Sequence, residues 1–354
     1  MLTTFIKAAG ILLAGVSTFA ISSAAQQTLE QYRGQLSGIP VQTPPNQSVP
    51  SADPAIAGTL AEWQRLSASN GTLSFYDYAN FLMAHPGWPG ETGLRQDAEN
   101  SMARGNWSPG VAVSYFRRFP PLSAAASARN AQALMSVGQR DQAIVAARAA
   151  WTMGALPATD EAALLGQFAS FLTPDDHDKR MDALLWAGAT SSAARVLPLT
   201  SAAKRGLFAA RLAMRTNAPD AATLMSQAPG GEGDPGFLAD KALWYKLNGA
   251  SGTARALLAD RTTLVTRPVN VEKWYETLLE AARAAAAEGQ YDMAYRIAAR
   301  VDDAYPAGTD VSARPYGERD DYTSLMWFAG RTAMTQLGRP ADAVAMFERF
   351  SKGS

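Results

Sequence analysis

Apolar positions along this chain recur at helical spacing, in stretches that close on a glycine and restart five residues later on an alanine. Five such junctions occur: Gly138/Ala143, Gly188/Ala193, Gly249/Ala254, Gly289/Ala294 and Gly338/Ala343. Four residues before each glycine stands a residue able to pack in a core, namely Leu134, Leu184, Tyr245, Ala285 and Met334. Three and four residues after each alanine come Ala146/Ala147, Val196/Leu197, Leu257/Leu258, Ile297/Ala298 and Met346/Phe347. The pattern predicts helix, tight turn, helix. Glycine ends the first helix because it adopts positive φ without a Cβ penalty, and alanine lets the second lie close to the first. Repetition of the unit predicts an all-α chain built as an α-superhelix, or solenoid, of helix-turn-helix repeats.

Helical patterning begins near Ile56 and runs to Phe350, broken by loops at 228–236 and 302–320, where proline and glycine gather. The expected organisation is a leader over 1–25, a Pro/Ser/Gln-rich linker over 26–55, the helical domain over 56–350 and a tail over 351–354. The leader combines one positive charge, Lys7, an apolar run from Ala8 to Ile21 and small residues Ser22 to Ala25, which is the pattern of a secretory signal peptide. Its apolar run falls short of the ~20 residues that span a bilayer, so no membrane span is expected after cleavage. The final helix carries Ala343, Met346, Phe347 and Phe350 as an apolar stripe. Two expectations compete: the stripe packs back on its own partner helix, or the chain has lost what should follow.

Charge narrows the function classes. Thirty-two basic and thirty-two acidic residues cancel, and no Lys/Arg block is long enough for the basic footprint of a nucleic-acid binder. No cysteine occurs, which removes disulfides and a lipidated cysteine. No glycine-rich phosphate loop, dinucleotide fingerprint or metal-ligand spacing stands out, so no cofactor and no metal is expected.

From Tyr115 to Pro198 the chain resembles the soluble lytic murein transglycosylases, in the superhelical, U-shaped domain that precedes their lysozyme-like catalytic domain. The resemblance is carried by Tyr115-Phe116-Arg117-Arg118-Phe119-Pro120-Pro121, by Phe171-Leu172-Thr173-Pro174-Asp175-Asp176-His177 with Arg180, Asp182 and Leu184-Leu185-Trp186, and by Ala194-Arg195-Val196-Leu197-Pro198. Weaker likeness continues to Phe347. It implies a periplasmic protein with a U-shaped or ring-like helical domain that handles peptidoglycan, in a family that cleaves the β-1,4 bond between N-acetylmuramic acid and N-acetylglucosamine to leave a 1,6-anhydro end. The family's catalytic Glu-Ser pair and Gly-Leu-Met-Gln segment are absent here. By resemblance this chain is the non-catalytic part of such an enzyme, with murein strands and cell-wall proteins as partners. The alternative, read from the helix pairs and their glycine junctions alone, is a tetratricopeptide-like scaffold that binds a protein partner.

Candidate residues each have a plain structural reading. His85 lies in a proline-glycine corner. Before His177, Thr173 fits an N-cap, Pro174 the first helical position, and Asp175 and Asp176 the first turn, where the helix dipole favours carboxylates. Glu91, Glu99, Glu276 and Glu280 are candidates for general acid or base work, yet each reads as a solvated helix face. The eight tryptophans could stack sugar rings, and most sit in apolar stripes that read as core. Arg117, Arg118, Lys179 and Arg180 are the candidate contacts to anionic muropeptide stems, with solvated faces or internal ion pairs explaining them as well.

Overall fold

The computed structural model describes residues 54–260 and 263–353, and among them every regular element is helical. The chain divides into two compact units, Met1–Thr59 and Leu60–Ser354. Of the first, only 54–59 are described, and they open helix α1 (Pro54–Ala68), two residues ahead of the expected start. Proline tolerates that position because the first helical N–H needs no partner. The expected leader and nearly all of the linker lie outside the described residues.

The second unit continues with α2 (Phe75–Ala84), α3 (Glu91–Ser101), α4 (Pro109–Arg118), α5 (Ala124–Ser136), α6 (Arg140–Thr152), α7 (Ala158–Phe168), α8 (Pro174–Trp186) and α9 (Thr190–Val196). There follow α10 (Ala202–Arg215), α11 (Ala221–Gln227), α12 (Pro235–Leu247), α13 (Ser251–Ala259), α14 (Val271–Ala287), α15 (Tyr291–Ala298), α16 (Tyr316–Thr335) and α17 (Pro340–Gly353). Starts are set by local chemistry. Ser74 and Thr173 make full capping boxes with Asp77 and Asp176, and Ser123, Ser201, Asp234 and Asn270 accept from the N–H three residues on.

All five junction glycines have positive φ, between 62° and 79°. In four of them the residue after the glycine donates to the carbonyl four residues before it: Gln139 to Leu134, Ala189 to Leu184, Ala250 to Tyr245 and Gln290 to Ala285. This is the six-to-one bond of a Schellman end. The paired alanines are buried, at 6% exposure for Ala254 and 0% for Ala143, Ala193, Ala294 and Ala343, so the close approach predicted from their size is made. The fifth junction closes differently: Arg339 donates to Ala333 and Leu337 to Thr332, which puts Ala333 in the core and leaves Met334, expected inside, 55% exposed.

Packing follows chain order. The strongest pairings are α5 with α6, α16 with α17, α14 with α15, α12 with α13 and α2 with α3, and each pair then touches the next through α3/α5, α6/α8, α8/α10, α10/α12 and α14/α16. The apolar core accordingly falls into successive clusters, one from Leu66 to Phe208, a small one around Met214 and Phe237, and one from Trp186 to Met346. Buried arginines tie neighbouring pairs together. Arg129 donates to Glu99 O at 3.0 Å and to Asp160 at 2.7 Å, and Arg211 bridges Asp240, at 2.7 Å, and Asp182.

Three boundaries differ from expectation. The loop at 228–236 already contains a 3-10 turn, Gly231–Gly233, and ends at the Asp234 cap. The loop at 302–320 holds 3-10 turns at Ala299–Ala304 and Val311–Ala313 and gives way to α16 at Tyr316. The tail is helical through Gly353, which is buried: a Cβ there would lie 2.9 Å from Tyr322 Cδ1, so glycine fits where a side chain would not. The apolar stripe of α17 packs back on α16, with Met346 5% exposed and the Phe347 ring filling the space above Gly330.

Candidate functional site

Of the four cations singled out from sequence, Arg180 is enclosed. Its side chain has no exposed surface, its Nη1 donates to the carbonyls of Trp151 at 3.0 Å and Gly154 at 2.5 Å, and its Nη2 bonds Glu161 at 2.6 Å. The guanidinium lies 4.0 Å from the Trp151 ring centre. That set of partners makes it a strut inside the core and corrects the expectation of a ligand contact. Lys179 is exposed and paired with Asp175 one turn earlier at 2.7 Å. Arg117 and Arg118 end α4 in solvent, with no side-chain partner among the described residues. The fold brings none of the four together in a cleft.

Both histidines pack against a tryptophan. His85 caps the end of α2 with its ring 5.0 Å from Phe81 and 5.7 Å from Trp88. His177 Nδ1 accepts from Trp151 Nε1 at 3.1 Å, and burial holds its pKa below 6.5 although Asp176 and Asp178 pull the other way. Asp176 completes the capping box of α8.

The glutamates divide. Glu276 and Glu280 are exposed and paired with Lys273 and Lys246, and Glu91 accepts from Gly87 N at 2.6 Å. Glu99, expected on a solvated face, is 3% exposed. Its two oxygens accept from Leu122 N at 2.7 Å and Ser123 Oγ at 3.0 Å, fastening the chain just ahead of α5. Burial raises its pKa against those hydrogen bonds. Glu161, 5% exposed, was not singled out. Burial pushes its carboxyl up, but hydrogen bonds from Arg195 and Arg180 outweigh that and leave its pKa below the usual value. Among the described residues no group of carboxylates and histidines is arranged to hold a metal ion.

Tryptophan exposure separates one position from the rest. Trp151, Trp186 and Trp274 are buried, the latter two beneath the guanidinium groups of Arg211 and Arg300, and Trp63, Trp88, Trp107 and Trp244 are half-buried. Trp327 alone of the eight is exposed, at 49%.

Clefts in the second unit differ in how their cations are used. One of 440 Å³ passes over Trp186, and its cations are all neutralised: Arg215 by Asp240, Lys246 by Glu280, Arg255 by Glu288 and Lys273 by Glu276. A larger one of 960 Å³, near Tyr305, is likewise committed internally. There Arg267 donates to the carbonyls of Asp303 and Tyr305, Arg296 pairs with Asp292, Arg300 with Asp303 and Arg349 with Asp302. The third, of 420 Å³, lies among α14, α15 and α16. Trp327 lines it beside Arg283 and Arg331, no carboxylate does, and neither arginine has a side-chain partner among the described residues.

Trp327, Arg331 and Thr335 follow at four-residue intervals, so α16 presents them as one stripe. The indole is braced from behind by Phe347 and Phe350 of α17, with ring centres 5.4 and 5.6 Å away. Sequence reasoning included Trp327 among eight tryptophans without distinguishing it, and missed Arg283 and Arg331 altogether. Their signal is the want of an acid within reach, which depends on how α14 and α16 meet. No family model, curated protein or solved structure matches this chain.

Proposed function

We propose that this chain is an exported helical-repeat module that engages peptidoglycan in the periplasm, similar to the superhelical domain of the soluble lytic murein transglycosylases, and that it does not itself cleave glycan. The observation that carries this reading is the order of packing: helix pairs closed by the same glycine/alanine junction bury themselves against adjacent pairs, as a solenoid does, and leave clefts between them. Such an array offers surface for an extended ligand. The secretory pattern over 1–25 supports the compartment in this reading, and the likeness of the segments Tyr115–Pro121 and Phe171–Trp186 supports the ligand class. Against catalysis stands the use made of the two buried glutamates, since Glu99 fastens the start of α5 and Glu161 binds two arginines.

Sedimentation with purified sacculi, followed by mass spectrometry of released fragments, tests both halves. The chain is expected to pellet with sacculi and to release no 1,6-anhydromuropeptides. Appearance of those fragments would overturn the non-catalytic assignment. Failure to pellet, together with a stable complex with an exported protein, would favour the tetratricopeptide-like scaffold.

A further inference from the structure

We infer that the cleft among α14, α15 and α16 is a subsite for a carboxylate-bearing saccharide, with a sugar ring on the Trp327 indole and the carboxylate held by Arg283 and Arg331. Identification of that saccharide as a muropeptide rests on the peptidoglycan reading above. The anionic requirement and the stacking platform do not.

Two features set this cleft apart from the two described above. Cations in the other two clefts are all bonded to carboxylates or carbonyls, whereas Arg283 and Arg331 share a cleft lined by no acid. Two unpaired arginines lining one cleft concentrate positive charge there, and an anion bound between them removes that cost while accepting directed, charge-assisted hydrogen bonds. Arg117 and Arg118, likewise without side-chain partners among the described residues, line none of these clefts, and Arg140, which lies over the Phe171 ring without an acid partner, lines none of them either. The second feature is the indole itself. An exposed tryptophan on a helix is usually a loose side chain, but Phe347 and Phe350 pack against Trp327 at interplanar angles of 54° and 49° and hold it in place. A preset aromatic surface loses little freedom when a ligand stacks on it.

Geometry places the two functions side by side. Trp327 and Arg331 stand one turn apart on α16, about 5–6 Å between their Cβ atoms in a regular helix. Arg283 enters from the last turns of α14, so the anion position is approached from two helices. Ser324, Thr335 and Gln336 line the same cleft and give a hydroxylated ligand polar partners. A plain acidic peptide would satisfy the arginines and leave the indole unused; a neutral sugar would do the reverse.

The test is calorimetric titration of the purified chain with the disaccharide tripeptide GlcNAc-MurNAc-tripeptide, which carries free carboxylates, and with neutral N,N′-diacetylchitobiose. The muropeptide is expected to bind about tenfold or more tighter, a difference of ~1.4 kcal/mol. In the double variant Arg283→Gln/Arg331→Gln that preference disappears, in Trp327→Ala both ligands weaken, and in Arg117→Gln/Arg118→Gln nothing changes. Thermal melts accompany each variant, and the two cleft arginines are exposed and unpaired, so the melt of their double variant should match the parent. Equal affinity for the two ligands, an unaltered double variant, or no muropeptide binding at all would overturn the subsite. The sacculus pellet separates the two claims. A double variant that pellets and titrates like the parent removes the subsite and leaves the peptidoglycan reading standing, whereas a parent chain that binds muropeptide yet never pellets removes the reading and leaves the subsite.

Discussion

Glu161 holds two arginines at once, Arg180 from inside the core at 2.6 Å and Arg195 from the surface at 2.8 Å, and the two contacts differ in worth. Removing Arg180 leaves the buried carboxylate with only the surface arginine and strips the enclosed Trp151 and Gly154 carbonyls of their donor. Arg180→Leu should therefore cost about 3–5 kcal/mol in urea unfolding, while Arg195→Leu, whose side chain is 47% exposed, should shift the midpoint far less. His177 gives a prediction in pH. Its folded-state pKa lies below 6.5, so as pH falls through 6.5 the unfolded chain takes up the proton first and stability is lost progressively toward the folded value. Melting temperatures of the parent and His177→Gln between pH 7.5 and 5 check this: the parent should lose stability more steeply, and parallel curves would contradict it. The capping role of Thr173-Pro174-Asp175-Asp176 was legible in sequence because every partner lies within one turn. The burial of Arg180 was not, because its partners at Trp151, Gly154 and Glu161 arrive from 29, 26 and 19 residues away.

At the level of the element, the glycine/alanine junction makes two demands that substitution separates. Gly138 has φ of 79°, so Gly138→Ala should destabilise by about 1–2 kcal/mol. Gly93 lies within α3 with nothing near its Cβ direction, so Gly93→Ala should stabilise by about 0.5–1 kcal/mol. Opposite signs in denaturant midpoints, at matched m-values, are the expected result. Ala143→Leu presses a larger side chain into a site with 0% exposure and should cost about 1–3 kcal/mol. The junctions could be read from sequence because glycine and alanine are dictated by backbone and contact distance. Met334 escaped because the last turn closes through Ala333 instead, a choice among neighbouring carbonyls that hydrophobicity does not report.

Across the second unit, packing in chain order means that damage to one helix pair has few direct routes to another. Gly330→Ala drives a methyl group into the Phe347 ring, 2.6 Å from its Cε1, and should loosen α16 and α17. Amide hydrogen exchange is expected to rise in those helices and to stay unchanged in α5 and α6, as nearest-neighbour stabilisation requires. A uniform rise along the chain would show one cooperative core instead. The candidate site belongs to this scale too. The indole was visible in sequence, but its exposure and its two arginines emerge only when α14 and α16 are set beside each other.

The sequence by itself determined the helical class, the positions of five turns and the cap at Thr173, because caps, positive-φ glycines and periodicity act over a few residues. Tertiary structure decided which charges are struts and which are free, which tryptophan meets solvent, and that the stripe on α17 folds back on α16. Those outcomes depend on what another helix brings within a few ångströms, and burial and pairing are properties of both partners.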